Sequence, residues 1–297
     1  MSLRNLAKSA LRPIANMLLS SADSLPPKIS NTISDDPAIT AKFLPFQPNT
    51  PTLVLSKQTA KSGVLPLPPK NMREGYDSDD DAFLKTGRED ISSMLAILDA
   101  SGMQITESSR VMELGCATGR MLRHLESQAR QGAEVWGVDI TAESILWCQQ
   151  NLYPPFRFCT STTLPHLPFE DNYFDVIYAG SVFTHIFDLW DMWLMELKRI
   201  IKPGGCLYLT IHDQSMIEAG RRDYPDHWLT KQIEANDVLR PRLAKNDWTM
   251  FTIGRTPKST LVYYDTESLK RMWGQYLDVV SIHPQACGPQ TAVLLRK

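Results

Sequence analysis

From Arg110 to the last residue, Lys297, short apolar runs alternate with stretches whose apolar positions recur at helical spacing. The runs RVMELG (110–115), EVWGVD (134–139), FRFCTS (156–161), FDVIYAG (174–180) and GCLYLTIHD (205–213) read as strands. Residues 119–130, 141–152 and 189–201 between them carry one apolar face each and read as helices. A further amphipathic helix, REDISSMLAILDASG (88–102), precedes the first strand and stops at Gly102, while TESLKRMWGQYL (266–277) follows the last of these strands. The chain ends in two apolar-rich runs, DVVSIHPQA and TAVLLRK, separated only by CGPQ, a spacing short enough for an antiparallel hairpin. This is an α/β pattern. It predicts a Rossmann-like, mostly parallel sheet of seven strands with an antiparallel edge hairpin and helices on both faces.

Two segments break the rhythm. Half of the 20 prolines lie within residues 1–70, so 25–75 reads as a Pro-rich extended arm leading to a domain at 76–297. The polar, aromatic-containing stretch at about 214–264 is too long for a simple connection and follows a central strand, so it reads as a cap inserted after the fifth strand. Residues 1–24 place Leu3, Leu6, Leu11, Ile14 and Leu18 at helical spacing with Arg4, Lys8 and Arg12 as the charges, and there is no acid before Asp23. Three readings fit this basic amphipathic helix, which Pro13 would kink: packing on a protein surface, peripheral contact of residues 1–20 with an anionic membrane, and an organelle transit peptide.

Composition narrows the function. With 31 Lys and Arg against 33 Asp and Glu, the chain lacks the basic field by which nucleic-acid binders collect phosphates, so nucleic acid is not the expected partner. Five scattered cysteines with no CxxC pair argue against a zinc or redox centre and fit a reducing, cytoplasmic setting. Asp77, Asp79 and Asp81 alternate like calcium ligands, but Ala82 and Arg88 stand where such a loop needs Gly and Glu; no metal is expected.

The chemistry is concentrated in VMELGCATGR (111–120). A dinucleotide turn wants glycines at the places of Gly115, Ala117 and Arg120, and two of the three fail. Glu113 beside the turn would repel a pyrophosphate, and Asp139 closes the second strand 20 residues after Gly119, the separation at which a carboxylate reaches ribose hydroxyls. A ribose without pyrophosphate, together with a positive centre, describes S-adenosylmethionine. Here the sequence resembles the class I S-adenosylmethionine-dependent methyltransferases: their acidic-x-Gly-x-Gly-x-Gly motif runs from Glu113 to Gly119 with Ala117 at the middle glycine, and LPHLPFEDNYFDVIYAGSVFTHI (164–186) and LKRIIKPGGCLYLTI (197–211) look like the signatures around their fourth and fifth strands. The resemblance covers roughly 88–297.

That resemblance implies that Glu113 orients the methionine amino end, that Gly115, Cys116, Ala117 and Gly119 form the turn against the cofactor, and that Asp139 binds the ribose with Ile140 on the adenine. Thr163 and Leu164 would lie at the adenine edge, and Ala179, Gly180 and Ser181 would face the sulfonium. Known metal-assisted, base-modifying and arginine-methylating relatives carry acidic or Asn-Pro-Pro-type stretches after the fourth strand, which this chain lacks. What remains is a metal-independent transfer to a hydroxyl or amine of a small molecule, sugar or lipid, with His185 or His212 as general base and Asp213 as an orienting partner of His212. Tyr76, Phe183, Trp228 and Trp248 are candidates for the lid and acceptor site. Two readings stay open beside it: a C-methyltransferase on a membrane quinone or lipid, and a catalytically silent cofactor-binding scaffold.

Overall fold

The computed structural model describes residues 64–73, 79–254 and 260–297; the stretch expected to form an N-terminal helix, most of the expected arm and Tyr76 lie outside them. Five parallel strands form the centre of one sheet: β1 (Arg110–Leu114), β2 (Glu134–Asp139), β3 (Arg157–Thr160), β4 (Phe174–Ala179) and β5 (Ile201–Asp213), side by side in the order β3-β2-β1-β4-β5. The order reverses between β1 and β4, and at such a switch point the connections diverge and leave a crevice at the carboxyl edge.

Strand periodicity distributes the core. Val111, Val135, Val176 and Tyr178 face one layer, with Met94 and Leu98 of α1 (Asp80–Ala100) and Ile145 and Cys148 of α3 (Ala142–Asn151). Met112, Leu114, Ile177 and Ala179 face the other, built on α4 (Trp190–Ile200) and α8 (Thr266–Trp273). The far side of β5 is shared. β9 (Gln290–Arg296) pairs antiparallel with Cys206–Ile211 and carries β8 (Asp278–Cys287) outside it, which is the expected edge hairpin.

Four elements differ from the sequence expectation. The sheet has nine strands among the described residues rather than seven, because the inserted segment, after the short helices α5 (Gln214–Asp223), α6 (Trp228–Glu234) and α7 (Leu239–Ala244), ends in a hairpin of β6 (Met250–Ile253) and β7 (Leu261–Tyr264). β7 lies parallel to the end of β5, with Tyr263 beside His212 and Tyr264 beside Asp213. Helix α1 starts earlier than expected, since Asp79 caps it by accepting from the Ala82 amide at 2.8 Å and Asp80 and Asp81 stand in its first turn, where the helix dipole favours acids. Part of the acidic run is thus a helix start. The helix expected at 119–130 is a 3-10 turn (Leu122–Leu125) followed by α2 (Glu126–Gln131), and the helix expected to reach 277 ends at Trp273.

α1 approaches the turn after β1 through Gly87, where a Cβ would stand 2.4 Å from the Arg120 carbonyl oxygen. Gly87→Ala should therefore destabilise despite the roughly 1 kcal/mol that alanine gains in a helix, because overpacking costs about 1–3 kcal/mol. Urea unfolding would show a lowered midpoint at an unchanged slope; a raised midpoint would mean that α1 can shift freely.

Candidate active site

The turn after β1 is tied to β2 by main-chain bonds: the amides of Gly115 and Cys116 both donate to the Val138 carbonyl, at 2.7 and 3.1 Å. Gly115 has φ +76, and a Cβ there would stand 2.3 Å from Val182 Cγ2, so the position demands glycine twice over. Ala117 takes φ +44, a left-handed conformation that costs a non-glycine residue about 1–2 kcal/mol. What holds it there is Asp139. Its Oδ2 accepts from the Ala117 amide and its Oδ1 from the Thr141 amide, each at 2.7 Å, with the carboxylate buried.

Glu113 points inward. One carboxylate oxygen accepts from the Leu122 amide at 3.0 Å and from the Tyr178 hydroxyl at 3.1 Å, across the register that sets Glu113 beside Tyr178. Burial pushes its carboxyl up to about 8, against the Tyr178 hydrogen bond and the Arg120 charge, which favour the ionised form. Arg120 is itself buried, 2.7 Å from Asp90 of α1.

The ends of β4 and β5 are joined by a ring of polar groups. Ser181, at φ +59, donates its amide to Thr210 Oγ1 at 2.7 Å; Thr210 donates to Gln290 Oε1 at 2.6 Å; Gln290 Nε2 donates to Ser181 Oγ. Ala179 is buried, and the space a Cβ would take at Gly180 is occupied by Met121 Sδ. His185 is exposed, with Nδ1 2.8 Å from the Thr260 carbonyl oxygen, so Nδ1 carries the hydrogen and Nε2 is the acceptor.

The remaining candidates separate. Phe183, expected at the lid, is fully buried and packs edge-on against Trp273 at 5.3 Å, so it is a core residue. Asp213 does not orient His212: Oδ1 caps α5 through the Ser215 and Met216 amides, and Oδ2 accepts from Thr291 Oγ1. His212 is buried with Nδ1 lacking a partner, its ring 5.0 Å from that of Tyr263, and burial lowers its pKa to about 3, with the nearby His185 adding to the effect. Trp248 packs on Phe251, which stacks on Tyr263, so this aromatic column is the insert's own core. Trp228 is half exposed beside His227. Ile140 and Leu164 stand exposed at 56% and 62%, and Thr163 is exposed as well.

Sequence reasoning missed Tyr178, Thr210 and Gln290, and it read 64–73 as part of an extended arm without the contacts by which the Met72 and Pro66 carbonyls accept from Thr118 and Arg123. For Tyr178 the signal was available, since a polar residue inside a buried strand beside a buried acid needs a partner. Among the described residues no group of three His, Cys, Asp or Glu could hold a metal ion, and no helix is long and apolar enough to cross a membrane.

Residues 112–209 match the family model described as a methyltransferase domain. A ubiquinone/menaquinone biosynthesis C-methyltransferase of Cupriavidus pinatubonensis is 26% identical over 154 residues, 50% of this chain and 60% of that protein. A phthiotriol/phenolphthiotriol dimycocerosates methyltransferase of Mycobacterium ulcerans is 30% identical over 172 residues, 57% of this chain and 63% of that protein. The alignments thus span less than two thirds of either relative. A solved S-adenosylmethionine-dependent methyltransferase of Aquifex aeolicus superposes with a TM-score of 0.50 at 15% identity, covering 77% of this chain and 98% of that one. The fold is the Rossmann-like fold of the solved methyltransferases.

The orphaned imidazole of His212 should be visible in stability. Its folded pKa of about 3 lies below the unfolded value, so the unfolded chain binds the proton first; the stability of the neutral form is complete above pH 6.5 and is lost as pH falls toward 3. His212→Phe should remove about 2 kcal/mol of this loss at pH 5, measured as the difference between wild-type and variant denaturation at pH 5 and pH 7. An equal difference at both pH values would show that His212 does not titrate below its ordinary range.

Proposed function

We propose that this chain transfers a methyl group from S-adenosylmethionine to a small-molecule or lipid acceptor bearing a hydroxyl, with that oxygen as the nucleophile. The observation that carries the reading is the pair of buried carboxylates bracketing the β1 turn. Asp139 spends two of roughly four acceptor positions on the Ala117 and Thr141 amides and keeps the others for the two hydroxyls of a ribose. The exposed apolar side chains of Ile140 and Leu164, with Thr163 beside them, suit an adenine face and edge. Gly115, Cys116, Ala117 and Gly119 form the turn against it, and Glu113 behind that turn favours a cationic amino group over any phosphate. Ala179, Gly180 and Ser181 close β4 on the methyl side.

Bound S-adenosylmethionine supplies a sulfonium methyl, whose bond to sulfur breaks as the acceptor's bond to carbon forms, leaving S-adenosylhomocysteine. The chain's own residues align the acceptor and remove its proton. His185 is the better base. The Thr260 carbonyl fixes its tautomer and leaves Nε2 to accept a proton, whereas His212, held neutral down to about pH 3, is a weak one. A second reading, methylation at a ring carbon activated by a hydroxyl, is supported by the similarity to the quinone-biosynthesis C-methyltransferase and uses the same base. Membrane contact through residues 1–20 falls outside the described residues.

S-adenosylhomocysteine at about 100 times its dissociation constant should stabilise the chain by about 2.7 kcal/mol, several degrees in Tm, and Asp139→Asn should weaken binding at least about tenfold. Binding should tighten as pH rises through about 8, where the buried Glu113 carboxyl ionises, and Glu113→Gln should abolish that trend. No Tm shift at any pH would overturn the cofactor assignment, and with it both the transfer reading and the cofactor-binding scaffold. Once an acceptor is turning over, His185→Ala should lower kcat by about 10²–10⁴ with cofactor affinity unchanged; an unaffected kcat would leave proximity alone as the source of catalysis.

A further inference from the structure

The turn between β8 and β9 lies at the carboxyl end of β5 and lines, with α1, a half-open cavity of about 470 Å³ whose walls include Ser181, Gln290, Asp90 and Arg120. A register shift between His283 and Cys287 aims this turn, and Gln285 takes φ +56 within it; such bulges re-aim side chains beside sites. The cavity is of the size that small-molecule sites have, and Ser181 puts it directly at the end of β4, where the methyl would be delivered.

We propose that this cavity holds the head of the acceptor and that Gln290 is the residue that reads it, selecting an uncharged, hydroxylated ring. The inference rests on the methyltransferase reading above. Gln290 is fixed by Thr210 on its Oε1 and by Ser181 on its Nε2, so its amide plane cannot turn. An amide has two donor hydrogens and two acceptor lone pairs. One of each is used within the ring, and one of each is left for a ligand. A group that both donates and accepts, a hydroxyl, satisfies the pair; a carboxylate answers only the donor and leaves the lone pair facing a negative charge.

The rest of the wall points the same way. The guanidinium of Arg120 is paired with Asp90 at 2.7 Å, and Glu89 adds an acid to the lining, so the described wall carries no surplus positive charge for an anionic head. A ring system fits the volume, whereas a long tail would have to remain outside it. Gln290 lines the cavity and holds Ser181 on the methyl side, whereas Asp139 lies at the end of β2, where the ribose is proposed to bind.

The experiment is calorimetric titration of the full chain, saturated with S-adenosylhomocysteine, by three ring-matched probes: 1-naphthol, 1-naphthoate and naphthalene. Naphthol should bind at least tenfold tighter than naphthoate and naphthalene, and Gln290→Leu, kept saturated with S-adenosylhomocysteine, should abolish that preference. Gln290→Glu keeps the acceptor for Thr210 and loses the donor, so it should lose naphthol binding with a Tm close to wild type, covering the case in which the leucine variant unfolds. Equal binding of naphthol and naphthoate, no binding of naphthol, or a folded Gln290→Glu protein that binds naphthol as wild type does would each overturn the assignment. If S-adenosylhomocysteine itself does not bind, the methyltransferase reading fails first and takes the acceptor site with it.

Discussion

The carboxylate of Asp139 is the constraint on which the carboxyl edge depends. Two backbone amides, from Ala117 after β1 and Thr141 before α3, converge on it at 2.7 Å. Charge-assisted bonds of this kind are about twice as strong as neutral ones, enough to offset the left-handed backbone of Ala117. The turn is therefore preformed: in the reading proposed above, the side chain that would receive a ribose also fixes the main chain beside it. A binding surface built this way loses little conformational entropy when it is filled.

Behind that turn lies a second, more costly arrangement. Glu113 is buried in the layer between the sheet and α1, satisfied by one amide and one phenol, and its charge is strongly disfavoured there. Arg120 and Asp90 bury a full ion pair nearby, which gains little over a hydrophobic packing but is ruinous to break, since removing either partner leaves a charge in an apolar layer. Polar groups at this density are not how a core is stabilised most cheaply.

The β-then-α alternation made most of the sheet legible, and the turn motif made its cofactor edge legible, because both rest on local spacing that a linear sequence displays. Gly115 follows β1 and Asp139 ends β2, the places in the fold that the spacing predicts. Gln290 and Thr210 were not, since they lie 109 and 29 residues from Ser181 and meet it only when β9 closes beside β5. The β6–β7 hairpin was read as part of a cap for a related reason: MFTI and LVYY are short, and only the edge left open by β9 beyond Ile211 gives them a strand to join. Phe183 shows the converse, an aromatic residue in a promising position that the packing of Trp273 claims for the core. His212 and Asp213 adjoin in sequence yet face separate environments, as consecutive residues of a strand do.

The insertion leaves the sheet at Asp213 and returns to lie alongside it at Tyr264, its last strand in register with the residue from which it departed. Neighbouring strands run only about 4.8 Å apart, so the whole excursion is closed at its root, and the sheet experiences it as a clasp rather than as a length of chain. Whatever is added to or taken from the tip changes neither the distance the backbone must bridge nor the position of β5. An element anchored like this can diverge rapidly in size and surface between descendants of one ancestor while the chemistry at its base stays still, which makes it a natural unit of exchange for grafting one enzyme's outer surface onto another's carboxyl edge.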